Sequence, residues 1–319
     1  MFIEYKLVKY FGSLNVDESW TFENLKPKDT TYLTHSYHRY PAKFIPQLVN
    51  RIIIENIEKS ELVCDPFVGC GTTLLEGLLT QRRTIGLDIN PIAYLISKAK
   101  TTPIQPQRLQ QFVKNFFDKL SPQNGAPNDC IVNLVIKIAP NYERIKFWFD
   151  GKTIKELSNI LSLINEIEDE KIQNFFKCAF SHVLKNCSRW DMDCLKPIRA
   201  KNKKISNPTK ILRRHINYMK KRNNELYNIL PKKIRKNIED YIQVYCQDCR
   251  EIPVEDEQIS LIVTSPPYVT SYEYIDLYQL SLLWLYPQIN ITELRKKFIG
   301  TCLLYTSPSP RDLSTSRMP

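Results

Sequence analysis

The sequence predicts an α/β protein whose core is a doubly wound parallel sheet, with a helical insertion between two of its strands. Three observations predict this fold class. A short apolar strand at residues 61–64 leads through a glycine-containing loop into an apolar helix, and a second short strand follows at residues 84–87. A long helical stretch then separates these elements from the next strand, at residues 241–245. Strands that alternate with helices in this way are typical of parallel sheets.

Composition allows one large domain or two smaller ones, and it favours a polyanionic partner. The chain has 319 residues, of which 43% are hydrophobic and 25% charged, and its formal net charge is +11. A positive charge of this size attracts nucleic acid, although composition alone does not prove such a partner. No apolar run is long enough to span a bilayer, and the first ten residues lack the features of a signal peptide. We therefore expect no membrane partner and a cytoplasmic location.

Cysteine and histidine spacing predicts no metal site. The nine cysteines are scattered, and the one close pair is Cys246 and Cys249. A zinc site needs about four ligands, and no second pair of that kind lies nearby in the sequence. The four histidines also lack metal-ligand spacing. Free thiols in a reducing compartment are the simpler interpretation.

The loop after the first strand has the features of a cofactor site. Gly69 and Gly71 allow a sharp turn, and the next helix presents unpaired N–H groups that suit a carboxylate or another anion. The second strand ends at Asp88, about twenty residues further on, where an acidic side chain reaches ribose hydroxyls in doubly wound folds. The pattern predicts a nucleoside-type cofactor.

Four segments in order resemble the motifs of the DNA amino-methyltransferases. They are residues 35–46 (HSYHRYPAKFIP), 65–73 (DPFVGCGTT), 86–91 (GLDINP) and 264–268 (TSPPY). The family's glycine loop usually has Ser where this chain has Cys70. The resemblance implies a Rossmann-like methyltransferase fold and S-adenosyl-L-methionine as the cofactor. It assigns cofactor binding to Lys43, Asp65, Phe67, Gly69, Gly71, Thr72, Asp88 and Asp248. For Asp248, a solvated turn residue is the competing interpretation.

The tetrapeptide Ser265, Pro266, Pro267 and Tyr268 is the predicted catalytic site. An exocyclic amine is a poor nucleophile because its lone pair is delocalised into the ring. Hydrogen-bond acceptors for the amine protons draw that lone pair out, and the Ser265 hydroxyl and the Pro266 carbonyl can act as these acceptors. Tyr268 offers a flat face for a base rotated out of the duplex. Carbon-5 cytosine methylation is disfavoured because it needs a Pro-Cys pair, which the sequence lacks.

The resemblance also bears on the substrate. Serine in the first place of the tetrapeptide goes mostly with cytosine and aspartate mostly with adenine, so Ser265 favours N4 of cytosine over N6 of adenine. Two alternatives stay open: an RNA guanine-N2 methyltransferase, and a non-catalytic DNA-binding protein that has kept the fold. A combined restriction and modification polypeptide, or a separate cognate restriction endonuclease, is also compatible with the sequence.

Residues 196–235 are rich in lysine and arginine, within a stretch whose apolar residues follow helical spacing. We expect this region to contact double-stranded DNA through Arg213, Arg214, Lys220 and Lys221. The alternative is a basic face that contacts only solvent, because most runs of charged residues are solvated surfaces.

The organisation predicted from these patterns has four parts. Residues 1–104 form an N-terminal segment and the cofactor-binding half of the core, 105–238 the basic helical insertion, and 239–300 the catalytic part. Residues 302–319 (CLLYTSPSPRDLSTSRMP) resemble a translated sequencing adapter, so we expect 301–319 to be a non-native tail and the sheet to be truncated. Only about four of the seven strands that the resemblance implies precede Gly300.

Overall fold

The computed structural model describes residues 17–121, 141–267 and 274–299. Four strands are present in these ranges: β1 (Leu62–Asp65), β2 (Arg83–Leu87), β3 (Ile242–Tyr245) and β4 (Leu261–Ile262). The helices are α1 (Pro46–Asn56), α2 (Thr72–Leu79), α3 (Pro91–Thr101), α4 (Pro106–Lys119), α5 (Tyr142–Trp148), α6 (Gly151–Asn165), α7 (Glu170–Cys187), α8 (Pro208–Ile229), α9 (Lys232–Lys236), α10 (Ile238–Tyr241), α11 (Tyr274–Leu277), α12 (Gln279–Leu285) and α13 (Ile291–Lys296).

Several of the long helices begin where the sequence supplies a capping side chain. Asn90 accepts a hydrogen bond from the amide of Ile92 and is followed by a proline at the first helical position. Asp150, Asp169 and Asn207 cap α6, α7 and α8 in the same manner. These side chains satisfy amides that the first turn of a helix leaves unpaired.

The sheet is parallel throughout, with strand order β3-β2-β1-β4. This order confirms the predicted α/β fold with a doubly wound sheet, and the ends of β1, β2 and β3 lie within one residue of their predicted positions. The order reverses at β1, because β2 lies on one side of it and β4 on the other. Open sheets of this kind bind ligands at the carboxyl ends of the strands beside such a reversal.

Helices cover one face of the sheet. Val63 of β1 packs with α1, and Ile242 and Val244 of β3 pack with apolar residues of α2, α8 and α9. Leu62, Cys64, Ile85 and Leu87 point to the opposite face, against Ile252, Val254 and Ile259. Alternate strand residues therefore serve different cores, as the two-residue period of a strand requires.

The helices between β2 and β3 share one large apolar cluster with other parts of the chain. The cluster contains residues of every helix from α3 through α7, of the first half of α8, and of α11 and α12. It also includes Cys70 of the glycine loop. Trp190 and Trp284 are among its largest fully buried side chains. The stretch predicted as a separate insertion thus packs directly on the cofactor half of the core. Among the described residues, no helix is both long enough and apolar enough to cross a membrane.

A buried carboxylate ties the N-terminal segment to the sheet. Glu76 of α2 is fully buried, and it accepts hydrogen bonds from the Tyr32 hydroxyl (2.5 Å), His35 Nε2 (2.7 Å) and Asn50 Nδ2 (2.8 Å). Burial lowers the pKa of His35 to about 4, so its imidazole is neutral at pH 7 and Nε2 carries the proton that it donates. Three donors from outside α2 thus converge on one side chain.

We predict that Glu76→Ala lowers the free energy of unfolding by about 3 kcal/mol, because it leaves one buried and two partly buried donors without an acceptor. Urea unfolding monitored by circular dichroism measures the change. Glu166→Ala is the matched control, since Glu166 makes a surface ion pair with Lys119 and its removal costs under about 1 kcal/mol. Equal losses of stability in the two variants would contradict the role assigned to Glu76.

Candidate active site

The glycine loop between β1 and α2 requires glycine at two positions. Gly69 has φ +49° and Gly71 has φ +72°, a region that other L-residues rarely adopt. A Cβ atom on Gly71 would also lie 2.9 Å from Ser97 Oγ. The predicted importance of these two glycines therefore has a conformational cause.

Helix α3 holds this loop from one side. Ser97 Oγ donates to the Gly69 carbonyl (2.9 Å), and Lys100 Nζ donates to the Cys70 carbonyl (2.6 Å). Lys100 is almost completely buried, and burial lowers the pKa of its ammonium group. Two loop carbonyls are thus satisfied by α3, which fixes the direction of the loop backbone.

Two carboxylates lie at the carboxyl ends of neighbouring strands. Asp88 follows β2, and its carboxylate accepts hydrogen bonds from the amides of Gly69 (3.0 Å) and Asn90 (2.8 Å). Burial raises the pKa of Asp88 to about 6, and the hydrogen bonds from the two amides oppose that shift. The side chain predicted to reach a ribose is therefore bonded to the glycine loop itself.

Asp65 ends β1 and connects it to the residue before the predicted catalytic tetrapeptide. Its Oδ1 accepts from Thr264 Oγ1 (2.8 Å) and from the amide of Phe67 (3.2 Å). Burial raises the pKa of Asp65 to about 6, against the lowering effect of its hydrogen bonds with Thr73, Thr264 and Phe67. One side chain thus bridges β1 and the segment after β4, on the two sides of the strand-order reversal.

The N-terminal segment closes over the loop through an aromatic side chain. A Cβ atom on Gly69 would meet the Tyr40 hydroxyl oxygen at 3.1 Å, so that ring lies directly against the loop. Tyr40 also stacks with Tyr274 at a centroid distance of 6.4 Å and packs against Tyr278 at 5.3 Å. The Tyr278 hydroxyl donates to the Arg39 carbonyl (3.3 Å). The segment is therefore held between the glycine loop and α11–α12.

A single cleft collects most of the predicted site residues. Its lining includes Lys43, Asp65, Phe67, Gly69, Thr72, Asp88, Asp248, Ser265 and Pro267. Gly71 is the N-cap residue of α2 and Pro266 is exposed, and neither is among the lining residues. Tyr268 lies outside the described residues, as does the predicted tail at 301–319.

Asp248 lines the cleft, but its carboxylate is already paired. Arg250 Nε lies 2.9 Å from Oδ1 and Nη2 lies 2.6 Å from Oδ2. The hydrogen bonds from Arg250 lower the pKa of Asp248 to about 2. The side chain is therefore an ionised acceptor that has to share its oxygens with Arg250 if it contacts a ligand.

The donor set of the cleft fits a nucleoside carrying an amino acid, such as S-adenosylmethionine. The Asp88 carboxylate suits a ribose diol, and the amides at the start of α2 suit a carboxylate. The cleft is narrow, with about 80 Å³ of free volume. Among the described residues, no group of His, Cys, Asp and Glu is arranged to hold a metal ion.

Sequence reasoning missed several residues of this cleft. Tyr40, Phe44, Asn90, Cys249 and Phe298 also line it. Tyr40 and Phe44 stand inside a motif segment already singled out, which was the available signal for them. Phe298 has no local signal, because it reaches the cleft only through the packing of α13 near α11.

The four basic residues predicted to contact DNA lie on one side of α8. Arg213, Arg214 and Lys221 are exposed and Lys220 is partly exposed, while Leu212, Ile216 and Met219 on the other side are buried. The Arg213 guanidinium lies 4.0 Å from the centre of the Phe117 ring. The sequence pattern thus becomes a continuous basic helix face.

We predict that the wild-type protein loses stability relative to Asp65→Asn as pH rises from about 4 to 7. The folded-state pKa near 6 lies above the value of about 3.9 for free aspartate. Folding therefore favours the protonated acid, and this contribution disappears as the carboxyl ionises. The difference should reach up to about 3 kcal/mol.

Urea unfolding of both proteins at half-unit pH steps measures this difference. Asp240→Asn, at an exposed position, is the control and should show no such trend. A wild-type curve parallel to that of Asp65→Asn would show that Asp65 titrates normally.

Comparison with known proteins agrees with this geometry. Residues 5–99 match a family model described as DNA methylase. No solved structure matches the chain significantly.

Three curated relatives are type II methyltransferases. The chain is 32% identical to M.MvaI of Kocuria varians over 293 residues, which cover 87% of this chain and 60% of that protein. It is 23% identical to M.MjaII of Methanocaldococcus jannaschii, covering 90% of this chain and 69% of the relative. Identity to M.BsoBI of Geobacillus stearothermophilus is 24%, covering 82% and 55%. The chain is thus similar over most of its length to type II methyltransferases, and it spans about 60% of the length of M.MvaI.

Proposed function

We propose that this chain transfers a methyl group from S-adenosyl-L-methionine to an exocyclic amino group of DNA, N4 of cytosine in preference to N6 of adenine. The observation that carries the proposal is the hydrogen bond between Asp65 and Thr264. It places the end of β1, the strand that leads into the glycine loop, beside Thr264, the residue before the predicted catalytic tetrapeptide. A methyl donor and an acceptor amine bound at these two places would meet in one cleft.

The cofactor proposal rests on the residues at the strand ends. S-adenosylmethionine supplies an electrophilic methyl group when bound. Asp88 would hold the ribose hydroxyls, the amides at the start of α2 would hold the carboxylate, and Phe67 and Lys43 would line the remainder. The similarity to type II methyltransferases supports this assignment.

Ser265 and Pro266 would activate the target amine. The Ser265 hydroxyl and the Pro266 carbonyl would accept hydrogen bonds from the two amine N–H groups, which makes the nitrogen lone pair available for attack. The two prolines fix the direction of the carbonyl, because their φ angles are locked. Tyr268 would stack on the extruded base. The preference for cytosine rests on the serine at position 265.

The DNA would lie along the basic face of α8. Phosphates are the natural partners of Arg213, Arg214, Lys220 and Lys221. A cytoplasmic site of action follows from a DNA substrate. A cognate restriction endonuclease also belongs to this proposal, because the matched relatives are named type II methyltransferases.

We predict that Ser265→Ala lowers the rate of methyl transfer roughly 100-fold or more. The variant lacks the hydroxyl that accepts a hydrogen bond from the target amine as positive charge develops on its nitrogen. The assay uses labelled S-adenosylmethionine, unmethylated genomic DNA and protein expressed from the complete gene. Mass spectrometry of the nucleosides then identifies the product. Ser260→Ala, on an exposed residue before β4, should keep full activity.

The outcomes of that assay are distinct. N4-methylcytosine supports the full proposal, and N6-methyladenine corrects the base alone. Label on RNA only, or none on any nucleic acid, would overturn the proposed substrate. Full activity in Ser265→Ala would remove Ser265 from the catalytic site.

We also predict that replacing Arg213, Arg214, Lys220 and Lys221 with Ala weakens binding to duplex DNA. The steepness of the salt dependence should fall by about 0.9 for each phosphate that the variant no longer neutralises. Fluorescence anisotropy over a salt series measures both quantities. A variant that keeps Arg213, which packs on Phe117, separates the effect of charge from the effect of packing.

The control for this experiment replaces Lys114, Lys119, Lys152 and Lys155, which makes the same charge change on α4 and α6. If the two variants weaken DNA binding equally, α8 is not the DNA-binding face.

A further inference from the structure

A second cavity lies beside the cofactor cleft and takes no part in the proposed methyl transfer. It encloses about 550 Å³ between the N-terminal segment, α7, residues 190–195, α8 and α11–α12. Tyr40 and Lys43 line both spaces, so these two side chains form the partition between them. A ligand in the second cavity would therefore lie directly next to a ligand in the cleft.

The charged side chains that line this cavity are all basic. They are Arg39, Lys43 and Lys185, and no carboxylate lines the cavity within the described part of the chain. The Arg39 guanidinium bonds only neutral groups, namely His182 and the Asn186 side chain. Lys185 Nζ donates to the carbonyls of Met192 and Cys194. Arg39 and Lys185 thus have hydrogen bonds but no direct ion pair in the described ranges.

A further cation lies behind this lining. Lys203 Nζ donates to the carbonyls of Lys185 and Trp190, both at 2.6 Å. Burial, followed by the charges of Lys185 and Arg39, lowers the pKa of Lys203 to about 8. Asp191 and Asp193 are the carboxylates near Lys185, and they offset only part of the positive potential. The wall of the cavity therefore carries a net positive charge, which an anionic ligand would balance.

The histidines around the cavity are neutral hydrogen-bonding groups. Burial lowers the pKa of His38 to about 3, and burial also lowers the pKa of His182. His38 Nδ1 donates to the Arg39 carbonyl, so Nε2 accepts from Ser181, whose oxygen in turn accepts from Ser281. This chain of hydrogen bonds connects the N-terminal segment to α7 and α12, so the walls are fixed before any ligand binds.

Aromatic rings complete the lining. Trp190, Tyr278 and Tyr218 face the cavity. Tyr218 is 38% exposed, and it continues a stack in which His215 lies 3.8 Å from His182 and 6.2 Å from Tyr218, measured between ring centroids. Arg222 lies over the Tyr218 ring at 5.3 Å. Bases stack on aromatic rings and on guanidinium planes alike.

Tyr218 connects the lining of the cavity to the proposed DNA-binding face of α8. Tyr218 stands on α8 four residues after Arg214 and three before Lys221, which places the three side chains close together on the helix surface. A DNA strand that follows this face would therefore pass Tyr218.

We propose that the second cavity binds one nucleotide of the DNA strand, next to the target base, with its phosphate on Arg39 and Lys185 and its base against Tyr218. This inference rests on the proposed function. The volume favours a nucleotide over a free phosphate, since a phosphate alone would leave most of the space and the aromatic lining unused.

Binding of a labelled 20-nucleotide single strand over a salt series tests the proposal, with inorganic phosphate as a competitor. We expect Lys185→Gln to weaken binding several-fold and to lower the steepness of the salt dependence by about 0.7, the value for one phosphate contact on a single strand. Tyr218→Ala should weaken binding roughly tenfold because it removes the stacking surface, and it should leave the salt dependence unchanged. Tyr218→Phe should bind as the wild type does.

Lys177→Gln is the matched control, because Lys177 also lies on α7 and bonds only Gln173 in the described structure. The proposal is overturned if Lys185→Gln and Tyr218→Ala bind the strand with the same affinity as Lys177→Gln. If millimolar inorganic phosphate displaces the labelled strand as strongly as an unlabelled strand does, the cavity is a phosphate site and the proposal is overturned. If the wild-type protein binds no DNA, the proposed function is overturned as well. If Lys185→Gln and Tyr218→Ala bind DNA normally and methylate it, this inference alone is overturned.

Discussion

The hydrogen bond from Thr264 to Asp65 is the interaction on which the site depends. It joins the ends of β1 and β4, the two strands on either side of the reversal in strand order. Parallel strands bring their carboxyl ends to one edge of a sheet, so the loops that follow them are neighbours whatever their separation in sequence. Residues 65 and 264 are 199 positions apart, and this bond fixes their loops relative to each other.

Around that point, the site is supported by buried polar groups on several sides. Lys100 and Ser97 hold the glycine loop from α3, and Asp88 accepts a hydrogen bond from its Gly69 amide. Glu76 anchors the N-terminal segment that carries Tyr40 and Lys43 into the cleft. Each of these groups is costly to bury unless it is paired. Their pairing therefore specifies one arrangement of the loop, and the raised pKa values of Asp65 and Asp88 are a consequence of the same burial.

The long helical stretch between β2 and β3 gives this sheet its particular environment. Its helices α3 to α7 and the first half of α8 share one apolar cluster with α11 and α12. One side of α8 therefore serves the core while the other presents arginine and lysine to solvent. The same packing brings α7 and α8 against the N-terminal segment, and the second cavity lies among these elements. A region with no motif of its own thus contributes both a basic surface and a cavity wall beside the cofactor cleft.

The sequence by itself determined the strands, the glycine loop and the residues at the strand ends, because these depend on local signals: short apolar runs, the φ freedom of glycine, and acids placed directly after strands. It also indicated the helical character and the basic charge of the insertion. Only the tertiary structure decided which distant groups meet. The Thr264–Asp65 bond, the Glu76 cluster and the approach of Phe298 to the cleft leave no local trace, since each depends on how strands and helices that are distant in sequence pack together. The second cavity is the clearest case, because Arg39 and Lys185 are far apart in sequence and are brought together by packing alone.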